Sequence, residues 1–197
     1  MDVDRRSGVT HRSRTTSCAD LPHRALFALL VLLALDAQRG LRPRLEPLLA
    51  DRLLADLAEP ERALREARRV LVAGGTVALA ASDWSRARFE PWTPDVARAM
   101  SAHYRLRTMA GGDPHAGGGL AARVERAGFV DVTETSHHRV DLTYRELARY
   151  AGSRLEAALR ADNSNTELRL AAEAARRWAT TDGSVEQCWT EVTGRSG

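Results

Sequence analysis

The stretch Pro60–Trp84, PERALREARRVLVAGGTVALAASDW, constrains the fold more than any other part of the chain. Ala63, Leu64, Ala67, Val70 and Leu71 recur at helical spacing, with Arg and Glu on the opposite side. Pro60 suits a first helical turn, where a missing N–H costs nothing. Gly74 and Gly75 then end the helix and turn the chain. Thr76–Ser82, TVALAAS, is small and apolar on both faces, as expected of a central strand covered by helices. Helix, glycine turn and buried strand together form the unit from which α/β domains are built.

The same alternation continues downstream. Leu120–Ala127 reads as a helix ending at Gly128, followed by the strand FVDVTETSHHRV. Thr143–Glu146, TYRE, has the form of a capping box and opens a helix with Leu147, Ala151, Leu155 and Ala158 on one face. Polar ADNSNT separates it from a helix ending near Trp178, and Val185–Val192 closes as a strand. The expected sheet therefore holds three strands, near 76–82, 129–138 and 185–193. Helices are expected near 60–72, 118–127, 143–160 and 166–179. Residues 83–117 form a long excursion carrying FEPWTP and the glycine-rich AGGDPHAGGG.

Upstream of Asp51 the character differs. Residues 1–24 are polar and rich in Arg and Ser, with no periodicity, and read as a disordered leader. Ala25–Leu35, ALFALLVLLAL, is an unbroken apolar run of eleven residues, short of the roughly 20 needed to span a bilayer. Its length suits a signal-peptide apolar region, and equally a buried core helix, which is the favoured reading. Residues 36–50, with Pro43 and Pro47, read as a connector. The expected organisation is a leader over 1–50 and an α/β domain over 51–197.

The chain is 197 residues long with a net charge of +3, and every one of its 29 basic residues is Arg. These are interspersed with 26 acids instead of forming a patch, which argues against a nucleic-acid partner. Cys18 and Cys188 are too far apart in sequence to suggest a disulfide framework, so a reducing, cytoplasmic setting is expected and membrane association is not. The six His do not form a metal-ligand pattern, and no metal site is expected.

Asp51 to about Leu142 resembles the C-terminal half of a class I S-adenosylmethionine-dependent methyltransferase, closest to the small-molecule and quinone-type members. The resemblance is carried by DRLLADLAEPERALREARRVLVAGGTVALAASDW and LAARVERAGFVDV, with the AGF turn at Ala127–Phe129. Val72 and Ala73 stand where the family usually has Arg-Pro before its two glycines, and Asp56 stands where it often has His. The resemblance implies a partial Rossmann-like α/β sheet, about three strands of the usual seven, with flanking helices. It also implies that the last strand lies between the other two, antiparallel to them. The implied activity is methyl transfer from S-adenosylmethionine to a small molecule.

The cofactor loop of that family, a GxGxG turn between the first strand and helix, has no counterpart here. Only Gly8 and Gly40 precede Gly74. Gly74–Gly75 lie between helix and strand, the reverse of the order that aims helix N-terminal N–H groups at a ligand. The acid that holds the cofactor's ribose is missing as well. The leader thus reads as a segment unrelated to the half-domain after it, as a truncated or misframed reading frame would give.

Several residues are candidates by this resemblance. Ala50, Asp51 and Arg52 stand where the fourth strand ends, beside the cofactor's methionine part; equally, Asp51 and Arg52 could be solvated helix-start charges. Asp83 and Trp84 end the fifth strand, at the sheet edge where α/β ligands bind, and Trp84 could stack on a substrate ring or simply pack. Arg86, Arg88, Phe89 and Trp92 lie in the insertion that forms the family's lid. His137 and His138 could act as a base or be half-exposed strand residues. No catalytic residue is expected, since placing nucleophile and methyl group in line does much of the work. Two further readings stand beside the enzyme: a non-catalytic half-domain that pairs with a second copy or partner chain at an exposed edge of Thr76–Ser82, and a secreted or membrane-anchored protein using Ala25–Leu35.

Overall fold

The computed structural model describes residues 45–51, 53–57 and 59–197. Residues 1–44, and with them the expectations for the leader and for Ala25–Leu35, lie outside the described residues. The described chain runs β1 (Leu45–Asp51), a 3-10 turn (Leu53–Asp56), α1 (Pro60–Val70), β2 (Leu71–Glu90), α2 (Pro94–Met109), α3 (Leu120–Arg126), β3 (Phe129–Arg139), α4 (Tyr144–Ala161), α5 (Thr166–Trp178) and β4 (Ser184–Ser196). It is a mixed α/β fold with flanking helices.

The four strands form one sheet in the order β1-β2-β4-β3. β1 runs parallel to β2, and β4 lies antiparallel between β2 and β3. The last strand therefore sits where the resemblance puts it. Two expectations are corrected. Residues 45–50, expected in a connector, form a strand with Asp51, so the sheet has four strands; Pro47 misleads because an edge strand tolerates a residue with no N–H. Thr76–Ser82 is not an exposed edge, because β1 and β4 pair with it on both sides. The sheet edges are β1 and β3.

Two apolar clusters hold these elements. In the first, Val77, Leu79, Ala81 and Val192 on one sheet face pack against Leu64, Ala67 and Val70 of α1 and Leu120 and Val124 of α3. This is the amphipathic face legible in the α1 sequence, and Leu48 of β1 joins it. In the second, α2, α4 and α5 pack together through Val96, Met100, Leu147, Leu155, Ala172 and Trp178. Thr143 and Glu146 form the expected capping box at the start of α4. Arg177 of α5 grips Asp95 of α2 through two guanidinium nitrogens, at 2.6 and 3.1 Å. The second cluster reaches the sheet through Val185, Trp84 and Phe89, so the helices sit at the end of β2 where its sequence turns from apolar to charged.

Candidate functional site

In an α/β sheet the carboxyl ends of parallel strands face the ligand crevice, because the loops leaving them open there. β1 and β2 end together, with Ala50 opposite Leu79 and Asp51 opposite Ala80. Ala50 and Asp51 thus close β1 at that edge; Arg52 lies outside the described residues. The regular pairing of β2 with β4 runs to Asp83, opposite Cys188, and resumes only at Arg88, opposite Glu186. The four residues 84–87 face the single residue Gln187 and bulge from the sheet, a device that re-aims side chains at sheet ends.

Asp83 is buried, at 2% exposure, and its carboxylate is held by the bulge. Oδ1 accepts from the Ser85 backbone N–H at 3.0 Å and from the Ser85 hydroxyl at 2.5 Å. The glycine-rich loop 111–119 lies across the strand end. The Trp84 N–H donates to the Pro114 carbonyl (3.2 Å) and the Gly117 N–H to the Ser82 carbonyl (3.1 Å). The loop thereby brings His115 to the carboxylate, with Nδ1 3.8 Å from Asp83 Oδ1. The Tyr104 ring meets His115 edge-on, with centroids 5.5 Å apart, and lies 6.3 Å from Trp84. Burial, and then the nearby Asp83 carboxylate, push the Tyr104 phenol well above its ordinary range, so it stays protonated near neutrality. At 3.8 Å the carboxylate and the imidazole are neighbours beyond hydrogen-bond distance.

Of the expected substrate residues, Asp83 and Trp84 are central to this cluster. Trp92 is not in it: it is 56% exposed and meets Phe89 edge-on at 5.1 Å, while Trp84 lies 6.5 Å from the Phe89 ring. Trp84 also lines a pocket of about 10 Å³ with Arg139, Asp141 and Gln187, a volume suited to one water. Within that wall, Asp141 accepts from Arg139 (2.6 Å) and from the Trp189 indole N–H (2.9 Å). His137 lies 3.9 Å from Glu191 and His138 3.0 Å from the Arg86 carbonyl oxygen. Arg86 itself reaches Ser136 (3.3 Å) and Arg88 reaches Glu186 (3.2 Å), so both tie the bulge to neighbouring strands. Tyr104 and His115 were not among the sequence candidates. The signal for His115 was its place inside AGGDPHAGGG; Tyr104 had none, because α2 was hidden in the excursion.

Gly117 is what lets this loop approach. A Cβ there would stand 2.7 Å from the Ala81 carbonyl oxygen and 3.1 Å from the Asp83 backbone nitrogen, neither of which can move aside within a strand. Gly117→Ala is therefore expected to cost about 1–3 kcal/mol and to loosen the pairing of His115 with Asp83. Urea unfolding measures it, and a midpoint equal to wild type would show that the loop is not seated on the strand.

The loop entering α3 has its N–H groups turned inward: Gly118 donates to the His115 carbonyl (2.8 Å) and Leu120 to the Gly117 carbonyl (3.4 Å), as Gly117 does to Ser82. None of these three faces a ligand. Among the described residues no group of three or more His, Cys, Asp or Glu could hold a metal, and no helix is long and apolar enough to cross a membrane.

No model of a known protein family matches the chain, and no curated sequence matches it. Solved structures do align with it. Phosphoethanolamine N-methyltransferase 2 of Haemonchus contortus, solved with phosphomonomethylethanolamine and S-adenosylhomocysteine, is 11% identical over 76% of this chain and 33% of its own, with a TM-score of 0.40. An S-adenosylmethionine-dependent methyltransferase of Thermotoga maritima is 13% identical over 77% and 56%, at 0.40. A Bacillus halodurans protein provisionally classed as a methyltransferase is 12% identical over 89% and 80%, at 0.46. The chain spans between a third and just over half of the first two. At this level of likeness neither substrate nor chemistry carries over.

Proposed function

We propose that this chain is the C-terminal portion of an S-adenosylmethionine-dependent methyltransferase acting on a small molecule in the cytoplasm, with cofactor binding impaired in the chain alone. The observation that carries the reading is the strand order β1-β2-β4-β3 with β4 antiparallel, the arrangement implied by the sequence motifs of Asp51–Leu142. In this reading Ala50, Asp51 and Arg52 border the cofactor's methionine part. Asp83 and Trp84 border the methyl acceptor, with Trp92 on the rim. The impairment follows from the missing glycine loop and ribose-binding acid, and from the inward-turned N–H groups of loop 111–119. Each lost anchor is a set of hydrogen bonds worth about 1–3 kcal/mol, so affinity falls by orders of magnitude.

Calorimetric titration of the 197-residue protein with S-adenosylmethionine is expected to give weak or undetectable binding. Micromolar binding would show that the chain builds a cofactor site from residues outside those described, and would overturn the impairment. A second reading, a non-catalytic half-domain that pairs with a partner chain or a second copy, is favoured by the outer edge of β1, which is unpaired among the described residues.

A further inference from the structure

A buried carboxylate is costly unless a cation stands beside it. Asp83 is buried, yet among the described residues no arginine lies within ion-pair distance of it. Arg86, Arg88 and Arg123 are turned to Ser136, Glu186 and Asp113 instead. Ser85 satisfies Oδ1 through its N–H and its hydroxyl, and His115 stands 3.8 Å from that same oxygen. The other oxygen, Oδ2, accepts no hydrogen bond from the described residues. Nor is it sealed off: the fully buried side-chain polar atoms without a partner among the described residues are His103 Nδ1 and Trp178 Nε1. Gly118 leaves the way open. A Cβ on Gly118 would stand 3.0 Å from Oδ2, so a side chain there would cover the oxygen that the glycine leaves bare. Gly118 and His115 are exposed, and Trp84 and Tyr104 are half-buried.

An unpaired carboxylate oxygen beside aromatic rings selects a cation with a carbon body. A metal ion needs several donors, and among the described residues no group of three His, Cys, Asp or Glu is placed to supply them. An ammonium ion needs less: one charge-assisted hydrogen bond to Oδ2 and a ring alongside its carbon atoms. Tyr104 is close enough for the Asp83 charge to act on its phenol, its ring meets His115 at 5.5 Å, and Trp84 lies 6.3 Å away. We propose that Asp83 Oδ2 is the recognition point for an organic ammonium ion, a primary or secondary amine in its protonated form. The amine enters past Gly118 and lays its carbon body along Trp84 and Tyr104. The amine's role as methyl acceptor rests on the methyltransferase reading above; its binding does not.

Benzylammonium and its neutral isostere benzyl alcohol are the probes, each titrated into the full 197-residue protein without cofactor and followed by saturation-transfer NMR. Benzylammonium is expected to bind saturably and about tenfold or more tightly than benzyl alcohol, the margin of a hydrogen bond to a charged group. Asp83→Asn keeps an oxygen for Ser85 but removes the charge, and Gly118→Ala covers Oδ2. Each is expected to weaken benzylammonium about tenfold and to leave benzyl alcohol unchanged. Circular dichroism checks that the variants fold, and if neither does, the two probes on the wild type decide. No saturable binding of benzylammonium, equal affinity for the two probes, or an unchanged affinity in folded Asp83→Asn would overturn the proposal. Because no cofactor is present, failure of the methyltransferase reading leaves amine binding intact. Failure of the ammonium site removes the preference for benzylammonium whatever the titration with S-adenosylmethionine gives.

Discussion

Trp178→Ala is expected to cost about 3–5 kcal/mol, the range for emptying a large aromatic site in a packed core. Trp178 is 1% exposed and lies at the centre of the helical cluster. Its ring meets Tyr144 of α4 edge-on at 5.3 Å and Phe89 of β2 at 6.2 Å, and it ends α5 where that helix packs on α2. Its neighbour Tyr144 is held in place by its hydroxyl donating to the Pro91 carbonyl at 2.5 Å. The loss should also be local. The cluster of α2, α4 and α5 shares none of its fully buried residues with the cluster that joins α1 and α3 to the sheet. Hydrogen exchange should therefore show α2, α4 and α5 losing protection while β2, β4, α1 and α3 keep most of theirs. Uniform loss over the whole chain would show the two clusters to be one cooperative unit.

The second large effect is one of pH. His103 on α2 is buried, at 8% exposure, and its Nδ1 has no hydrogen-bond partner among the described residues. Tyr150 of α4 meets it edge-on at 5.5 Å and Tyr104 lies 6.3 Å away, while the charges bearing on it are those of Arg107 and Arg154. Burial first, and then those two cations, bring its pKa down to about 4 from an ordinary 6.5. In the folded chain the ring stays neutral where the unfolded chain would protonate it. The resulting stability is full above pH 6.5, falls as the pH drops below that value, and is gone once the pH passes through about 4. The difference is on the order of 3 kcal/mol. Urea midpoints between pH 7 and 4 should fall steeply in the wild type and less so in His103→Phe, which cannot take up a proton. Parallel slopes for the two proteins would remove His103 from the explanation.

The sequence was most legible where a single pattern decided the structure. α1 was readable because Leu64, Ala67 and Val70 form one clean stripe, and β2 because TVALAAS is apolar on both faces. The start of α4 was readable from four residues, TYRE. The position of β4 between its neighbours came from the family resemblance, because periodicity carries no information on strand order. β1 was lost to Pro47, which marks an edge strand as readily as a loop. α2 was lost because its buried positions include His103 and its apolar residues alternate with Arg98, Arg105 and Arg107, blurring the helical stripe. β2 continues past Asp83 through WSRARFE, a charged stretch held in place by pairing with β4 and by the bulge. The candidate site was half legible. Asp83 and Trp84 follow from the end of a strand, but the approach of His115 and Tyr104 depends on how a glycine loop and a distant helix fold back.

The interior place of β4 has a consequence for how the protein comes off the ribosome. Both of its neighbours are made earlier: Thr76 of β2 must await Arg195, and Phe129 of β3 must await Ser196. At ~5–20 residues per second, β2 spends seconds as a nascent strand with one bare edge before its partner exists. Until then β3 has no strand to pair with among the described elements. The sheet therefore cannot be completed progressively during translation, and a chain stalled before Ser184 would present the bare edge of β2 and an unpaired β3 to the chaperone machinery instead of a smaller stable domain.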